Sequence, residues 1–403
     1  MKINREQLMV KLAKASSIAN YKEAKGIIKL SIKKSEGETE NMHDVSFFGA
    51  DGINTAITTL KLETGNANIG DYFIDANKIL GYLKNLGFYG AEEVILEFTD
   101  KITIKTDKTQ FEFPLENPKS YPEMPAMKFD EDQEFMMISV DSKIFVNRLS
   151  TLSKTISHDT SRPILQYANI HVSGTDMNMI TTDGFRVSMA IIDCVGLNGL
   201  TQKPIEEVQE LNVNPVVLSR LLTAEDGINI DLIVSKDYIY AMDNEGVITM
   251  KVMNGEYLNA RQYLEPVDFT QEVPFQSVLT VGTQELTQAL KLIKAGIVNE
   301  KEKLVQFNLQ ADSLNVSTSK TNGVVDEKDE KSKTGKDSGT INITGSLKGA
   351  PIKIKFDNNK LDVLNNGPKQ IRMCFMSSEM PIYVFDAQED KDHKFVLMVL
   401  PVR

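Results

Sequence analysis

Cysteine and histidine are scarce in this chain. Only Cys194 and Cys374 occur in 403 residues, too few and too far apart for a disulfide framework and in keeping with a reducing compartment. The four histidines, His43, His158, His171 and His393, are scattered. No two share a helix face and none pairs with a cysteine at zinc-ligand spacing, so no metal site is expected. No glycine loop followed by Lys and Ser or Thr opens a helix. The stretch from Thr334 to Lys336 lacks the upstream glycine that cradles phosphate, which excludes a nucleotide loop of that kind. The longest apolar run near the end, Phe395 to Leu400, is far too short to span a bilayer. The opening residues, Met1 to Leu12, carry charges where a signal peptide needs an apolar stretch. A soluble, cytoplasmic protein is expected. Carboxylates are plentiful but scattered, and none is singled out as one of an acid and base pair. Neither catalysis nor a cofactor is expected.

Positive charge is outnumbered, with 45 Lys and Arg against 56 Asp and Glu. The net charge is -11 and the isoelectric point is near 5.1. A field of that sign repels phosphate, which argues against a protein that simply coats nucleic acid or an anionic membrane. Any role on DNA must rest on a locally basic face.

What is present is a repeat. Three amphipathic helix patterns, Arg5 to Ser17, Asp141 to Ile156 and Thr283 to Gly296, space apolar residues at i, i+3, i+4 and i+7 with lysines on the other face. Three shorter patterns, Asp75 to Leu86, Asn214 to Thr223 and Asn358 to Asn366, each open with Asn or Asp, which are good helix caps. Alternating strand patterns follow, as in Val94 to Phe113, Ile228 to Met242 and Gln370 to Phe385. The unit is helix, strands, helix, strands, at a period of roughly 135 to 140 residues. That is close to the commonest domain size, so three α+β domains are expected at 1–127, 134–266 and 273–403. Pro114, Pro118, Pro122 and Pro125 mark the first linker, and Pro266 to Pro274 the second. The stretch from Ser319 to Gly339, rich in Lys, Asp, Glu, Ser and Gly, has almost nothing to bury and is expected as a mobile surface loop.

Several specific motifs lie on this frame. Ser161-Arg162-Pro163-Ile164-Leu165 precedes a strand, and Thr181-Thr182-Asp183-Gly184-Phe185-Arg186-Val187 follows it. Phe111-Glu112-Phe113-Pro114 leads into a Tyr121-Pro122 turn, Leu361-Asp362-Val363-Leu364-Asn365 reads as a helix, and the chain ends Met398-Val399-Leu400-Pro401-Val402-Arg403. In this order, across all three repeats, the set resembles the bacterial DNA sliding clamp, the beta subunit of the replicative DNA polymerase. The resemblance implies a head-to-tail homodimeric ring with helices inside and antiparallel sheets outside. Twelve helices packed about 8–10 Å apart give a circle roughly 30 to 40 Å across, wide enough for a hydrated duplex. It further implies a non-catalytic processivity factor that slides on double-stranded DNA without sequence preference. DNA polymerase, clamp loader and repair proteins would dock through short peptides, and no membrane is involved. A second reading is a clamp-like scaffold or decoy that binds those peptides without encircling DNA.

The resemblance also carries site residues onto matching positions. The peptide pocket would be walled by Leu165, Thr182, Gly184, Phe185, Arg186, Val187, Leu258, Tyr263, Pro381, Met398, Leu400, Pro401, Val402 and Arg403. Inner-face contacts to phosphate would come from Lys11, Lys14, Lys22, Lys25, Lys78, Lys84, Arg148, Arg220, Lys291 and Lys294, which read equally as solvated helix faces. The subunit contact would set Phe111 and Phe113 against Ile297 and Val298, the alternative being that the two Phe face their own core. The chain departs from the family in places. Phe185 stands for a family histidine, Leu258 for a common proline, Leu400 and Val402 for methionines, and the usual leucine after Arg403 is missing. A partner-peptide preference different from that of a typical host clamp is expected, as suits a clamp encoded by a phage or mobile element. Basic residues usual at the entry to the second helix of domains one and two are replaced by Asn77 and by Asn212 to Pro215, so DNA contact is expected to be thinner.

Overall fold

The computed structural model describes residues 1–21, 24–36, 41–64, 69–123, 136–173, 175–199, 210–235, 237–264, 275–296, 304–318, 339–364, 368–388 and 394–402. The expected loop from Ser319 to Gly339 lies outside them except at its last residue. The chain divides into two compact units. One comprises Met1–Val146, Cys194–Ile205 and Val216–Val252, the other Asn147–Asp193, Glu206–Pro215 and Met253–Arg403.

In the first unit, helix α1 (Arg5–Ser16) starts where the Asn4 side chain accepts the amides of Glu6 and Gln7. Helix α2 (Ala76–Leu86) starts where Asp75 accepts the Lys78 amide. Both caps satisfy amides that have no partner within the helix. The apolar faces of the two helices meet in one core. Leu8 and Leu12 of α1 and Ile79, Leu83 and Leu86 of α2 pack with Ile28, Leu30 and Ile32, the buried alternate residues of the strand Ile27–Lys34. Each such side chain contributes on the order of 1.5–3 kcal/mol when fully buried. Strand Met42–Ala50 passes under the end of α1 so closely that any side chain at Gly49 would run into the Ala15 carbonyl.

Helices α3 (Ser142–Leu152), α4 (Pro215–Leu221) and α5 (Thr283–Gly296) complete the set among the described residues. The Asp141 carboxylate accepts the Ile144 amide at 2.9 Å to open α3, and Pro215 begins α4, where its missing N–H is no loss. The helix expected from Asn358 to Asn366 is not a helix over its described residues, 358–364. The described part forms two 3-10 turns, Asn358–Lys360 and Asp362–Leu364. The Asn358 side chain is engaged in a tertiary bond instead, donating to the Leu290 carbonyl of α5, 68 residues away, at 3.1 Å.

The strands form antiparallel sheets that run across the expected repeat boundaries. In the first unit nine strands join in the order Gly196–Gly199, Met136–Asp141, Asn229–Val234, Tyr238–Asp243, Gly246–Lys251, Thr55–Glu63, Met42–Ala50, Ile27–Lys34 and Gly70–Asp75. The crossing from second to first repeat is the pairing of Val247 with Ile57 and Ile248 with Ala56. A four-stranded sheet, Lys2–Asn4, Glu93–Phe98, Lys101–Lys105 and Gln110–Pro114, belongs to the same unit. In the second unit a twelve-stranded sheet passes from the second repeat to the third where Arg186–Asp193 pairs with Lys394–Val399, Val187 opposite Met398. Among the described residues no helix is long and apolar enough to cross a membrane.

Candidate functional site

The residues with the most specific chemistry gather at one turn of the second unit. Strands Asp176–Thr182 and Arg186–Asp193 pair with Thr182 opposite Val187. The Asp183 carboxylate closes the turn by accepting the amides of Phe185 and Arg186, both at 2.9 Å. Gly184 sits at φ +85°, a left-handed conformation that glycine adopts without strain. The Thr182 hydroxyl donates to the Arg186 carbonyl at 2.7 Å and accepts the Gly184 amide at 3.1 Å. This geometry turns Phe185 outward, 57% exposed, and Arg186 inward, 6% exposed.

Arg186 is held on every side. Its guanidinium donates to Asp183 Oδ2 through Nε at 3.2 Å and to Asp362 Oδ1 through Nη1 at 2.7 Å. It also donates to the Lys360 carbonyl at 3.1 Å and the Lys154 carbonyl at 2.7 Å. Lys360 Nζ donates to the same Asp183 Oδ2 at 2.7 Å. Burial alone would push the Asp183 carboxyl up, but the Arg186 guanidinium, the Lys360 ammonium and the Phe185 amide together outweigh it and hold the group below the ordinary Asp value. The Lys154 ammonium is shifted down by burial, which outweighs the attraction of Asp362, with Lys291 adding repulsion.

Beneath this loop lies an apolar floor. Leu165, Val187 and Met398 are buried in one cluster with Ile180, Tyr257, Ala260, Leu264 and Tyr383. Around it Leu258, Tyr263, Leu400 and Val402 are exposed apolar side chains like Phe185, while Pro381 and Pro401 are half-buried. The chain end is fixed by its main chain. The Leu400 amide donates to the Phe185 carbonyl at 3.1 Å and the Val402 amide to the Lys355 carbonyl at 2.9 Å. The Tyr383 hydroxyl donates to the Tyr263 carbonyl at 3.2 Å, tying the turn Ala260–Tyr263 to this floor. Arg403 lies outside the described residues. Asp183, Lys360, Asp362 and Lys154 do as much to shape the site as the residues assigned from the sequence. Asp183 and Asp362 sat in the quoted motifs, whereas nothing in the sequence marked Lys360 or Lys154.

The basic residues divide into two groups. Lys25, Lys78, Lys84, Arg220, Lys291 and Lys294 are exposed, Lys78 in contact with Asp75 at 3.0 Å and Glu116 at 3.6 Å. The Arg148 guanidinium lies 5.4 Å from the Phe395 ring centroid. Lys22 is outside the described residues. Lys11 and Lys14 correct the expectation that they face phosphate. Both are buried, Lys11 paired with Glu245 and Lys14 with Asp243 at 2.6 Å. Asn212, the first residue of the stretch Asn212 to Pro215, is buried too. Its amide donates to the carbonyls of Met253 and Gly255 at 3.1 and 2.9 Å and its oxygen accepts from Asn169 at 3.1 Å.

Phe113 is a second correction. It is 8% exposed and sits in the first unit's core, its ring 5.6 Å from Tyr82. Phe111, two residues earlier, is 49% exposed and rests on Tyr82 and Phe113 at 5.1 and 4.8 Å. Its strand, Gln110–Pro114, ends the four-stranded sheet. Ile297 and Val298 lie outside the described residues.

No family model matches the chain. Among solved structures it is similar to a DNA polymerase sliding clamp from Pseudomonas aeruginosa, at 18% identity and TM-score 0.72 over 100% of this chain and 99% of that one. It is also similar to the DNA polymerase III beta subunit of Thermotoga maritima, at 15% identity and TM-score 0.73 over 100% and 98% of the two chains. The DNA polymerase sliding clamp of Bacillus subtilis gives 17% and 0.71 over 100% and 98%. Along its whole length the chain has the fold of the bacterial DNA polymerase III beta sliding clamps.

Proposed function

We propose that this chain is a DNA sliding clamp, a non-catalytic processivity factor that closes around double-stranded DNA as a head-to-tail homodimer and tethers DNA polymerase, clamp loader and repair proteins through short peptides. The observation that carries the reading is the full-length likeness to sliding clamps. Three clamp domains, 1–127, 134–266 and 273–403, would make up each chain. A ring holds DNA by topology, so the contacts need only be weak and diffuse. Lys25, Lys78, Lys84, Arg148, Arg220, Lys291 and Lys294 suit that task, with Lys22 as a further candidate. The chain as a whole carries a net charge of -11, which keeps DNA from adhering elsewhere. The test is retention. Loaded onto a nicked circular duplex, the protein should stay with the circle through gel filtration and leave when the circle is cut. The alternative, a clamp-like scaffold that binds peptides without encircling DNA, draws on the internal pairing of Lys11 and Lys14. Equal loss from circular and linear DNA, with peptide binding intact, would select it.

The groove formed by Leu165, Thr182, Gly184, Phe185, Arg186, Val187, Leu258, Tyr263, Pro381, Met398, Leu400, Pro401 and Val402 is the proposed peptide site, with Arg403 beyond the described end. Its apolar walls lose water readily, and its polar groups can fix a peptide backbone. Leu400 is exposed enough for substitution without loss of fold. Leu400→Asp places a carboxylate against an apolar anchor, and peptide affinity should fall by about a hundredfold or more in a fluorescence-polarisation titration.

Phe111 is the described half of the proposed subunit contact, with Ile297 and Val298 as its proposed counterparts. Phe111→Ala should weaken the dimer by about 2 kcal/mol, roughly thirtyfold, while leaving the monomer folded, because the side chain is half exposed. Sedimentation equilibrium reads the shift directly, and an unchanged dissociation constant would remove Phe111 from the contact.

A further inference from the structure

Phe185 is exposed but its ring is not free. The Lys360 ammonium lies 4.5 Å from the ring centroid and donates to Asp183 Oδ2 at 2.7 Å, so the cation that holds the ring is itself anchored. Lys360 closes the 3-10 turn that starts at Asn358, which Asp357 caps by accepting the Asn359 amide at 2.9 Å. The buried Asn358 side chain ties that turn to the Leu290 carbonyl of α5, and the Lys360 carbonyl takes a hydrogen bond from Arg186. The backbone and the charge of Lys360 are therefore both fixed. Phe185, for its part, has its carbonyl bonded to the Leu400 amide, which sets it beside the segment that carries Leu400 and Val402.

We infer that Lys360 is a positioning residue that locks Phe185 as a rigid aromatic lip of the groove, and that this lip makes the groove select an aromatic over an aliphatic anchor at the end of the docking peptide. The inference rests on the peptide-groove reading above. An exposed phenyl ring that must be ordered on binding costs conformational entropy, whereas a ring already held by a cation does not. With one face occupied by the ammonium, the rest of the ring remains for an offset or edge-to-face contact, which an aromatic partner makes better than a branched aliphatic one.

The test uses the full-length protein and two fluorescein-labelled hexapeptides, one ending Leu-Phe and one ending Leu-Leu. Site-specific 4-fluorophenylalanine at 185 gives an independent view of the ring by 19F NMR. Lys360→Met keeps the stem and removes the charge, while Lys360→Arg keeps the cation. The expected result is that Lys360→Met weakens the Leu-Phe peptide about three- to fivefold, the range a partly exposed cation-ring contact supplies. The Leu-Leu peptide should change by less than about twofold, and Lys360→Arg should return the Leu-Phe affinity to near the wild-type value. In parallel the 19F resonance should move toward that of the free amino acid in Lys360→Met and return in Lys360→Arg. An unmoved 19F line, or an equal loss for both peptides, overturns the inference. A wild-type protein that binds neither peptide while its 19F line still responds to Lys360→Met removes the peptide groove and the selectivity with it, and leaves the lock on Phe185 as a structural fact.

Discussion

Lys14→Met should destabilise the first unit by about 3–5 kcal/mol in urea unfolding at neutral pH. The Lys14 ammonium binds both Asp243 oxygens, at 2.9 and 2.6 Å, and the two side chains are only 6% and 5% exposed. Bringing such a pair out of water gains little overall, but removing one partner strands the other charge in a medium that solvates it poorly. Asp243 would keep two backbone donors, the amides of Glu245 and Gly246 at 2.9 and 3.0 Å, and these offset only part of the loss. Lys14→Met combined with Asp243→Asn eliminates the stranded charge and keeps an acceptor for both amides, so a good part of the stability should return. If both variants were as stable as wild type, the pair would not be buried as described. The neighbouring pair, Lys11 with Glu245, has a partly exposed acid and should matter less. Together the two lysines bind α1 of the first repeat to the hairpin between Tyr238–Asp243 and Gly246–Lys251 of the second, beside the strand pairing that joins the repeats.

Arg186→Met should cost the second unit a similar amount, about 3–5 kcal/mol, and take peptide binding with it. The guanidinium makes bonds to two carboxylates and two carbonyls, and Asp183 would be left buried with Lys360 as its nearest cation. The loss should depend on pH in a defined direction. In the wild type the Asp183 pKa is depressed below 3.8, so its contribution is present above that value and is lost as pH falls through the lower, folded value. Without the guanidinium, burial is opposed by less positive charge and the carboxyl rises. A raised carboxyl disfavours the folded state where it is ionised, at neutral pH, and ceases to do so as protonation neutralises it. The difference between Arg186→Met and wild type should therefore be largest near neutral pH and shrink as pH falls toward 4. A difference that held constant over this range would mean that Asp183 is not the stranded group.

How much of this was legible in the sequence depended on how far apart the interacting residues lie along the chain. Helices α1, α2, α3 and α5 could be read because their apolar periodicity and their caps, Asn4, Asp75 and Asp141, are local signals. The Asp183-Gly184 turn could be read for the same reason, and so could the alternation of the strand Ile27–Lys34. The fate of Lys11 and Lys14 could not, because a lysine on a polar helix face looks the same whether it meets water or a carboxylate 234 or 229 residues away. Lys360 is 177 residues from Asp183, beyond any local pattern. Phe111 and Phe113 share one face of their strand, yet only Phe113 is buried. Phe113 is covered by the first unit's core, whereas Phe111 lies outside that core against the rings of Tyr82 and Phe113. The third short helix could not be read correctly because the stretch is too short to establish a helical period and its first turn is fixed by a distant bond, from Asn358 to the Leu290 carbonyl 68 residues away.

The measurement that tests the central claim most directly is small-angle X-ray scattering with absolute mass across a concentration series, with and without a short duplex. The account predicts a particle of two 45.1 kDa chains whose distance distribution is that of a hollow annulus. A single-chain mass at every concentration, unchanged by duplex DNA, would contradict it.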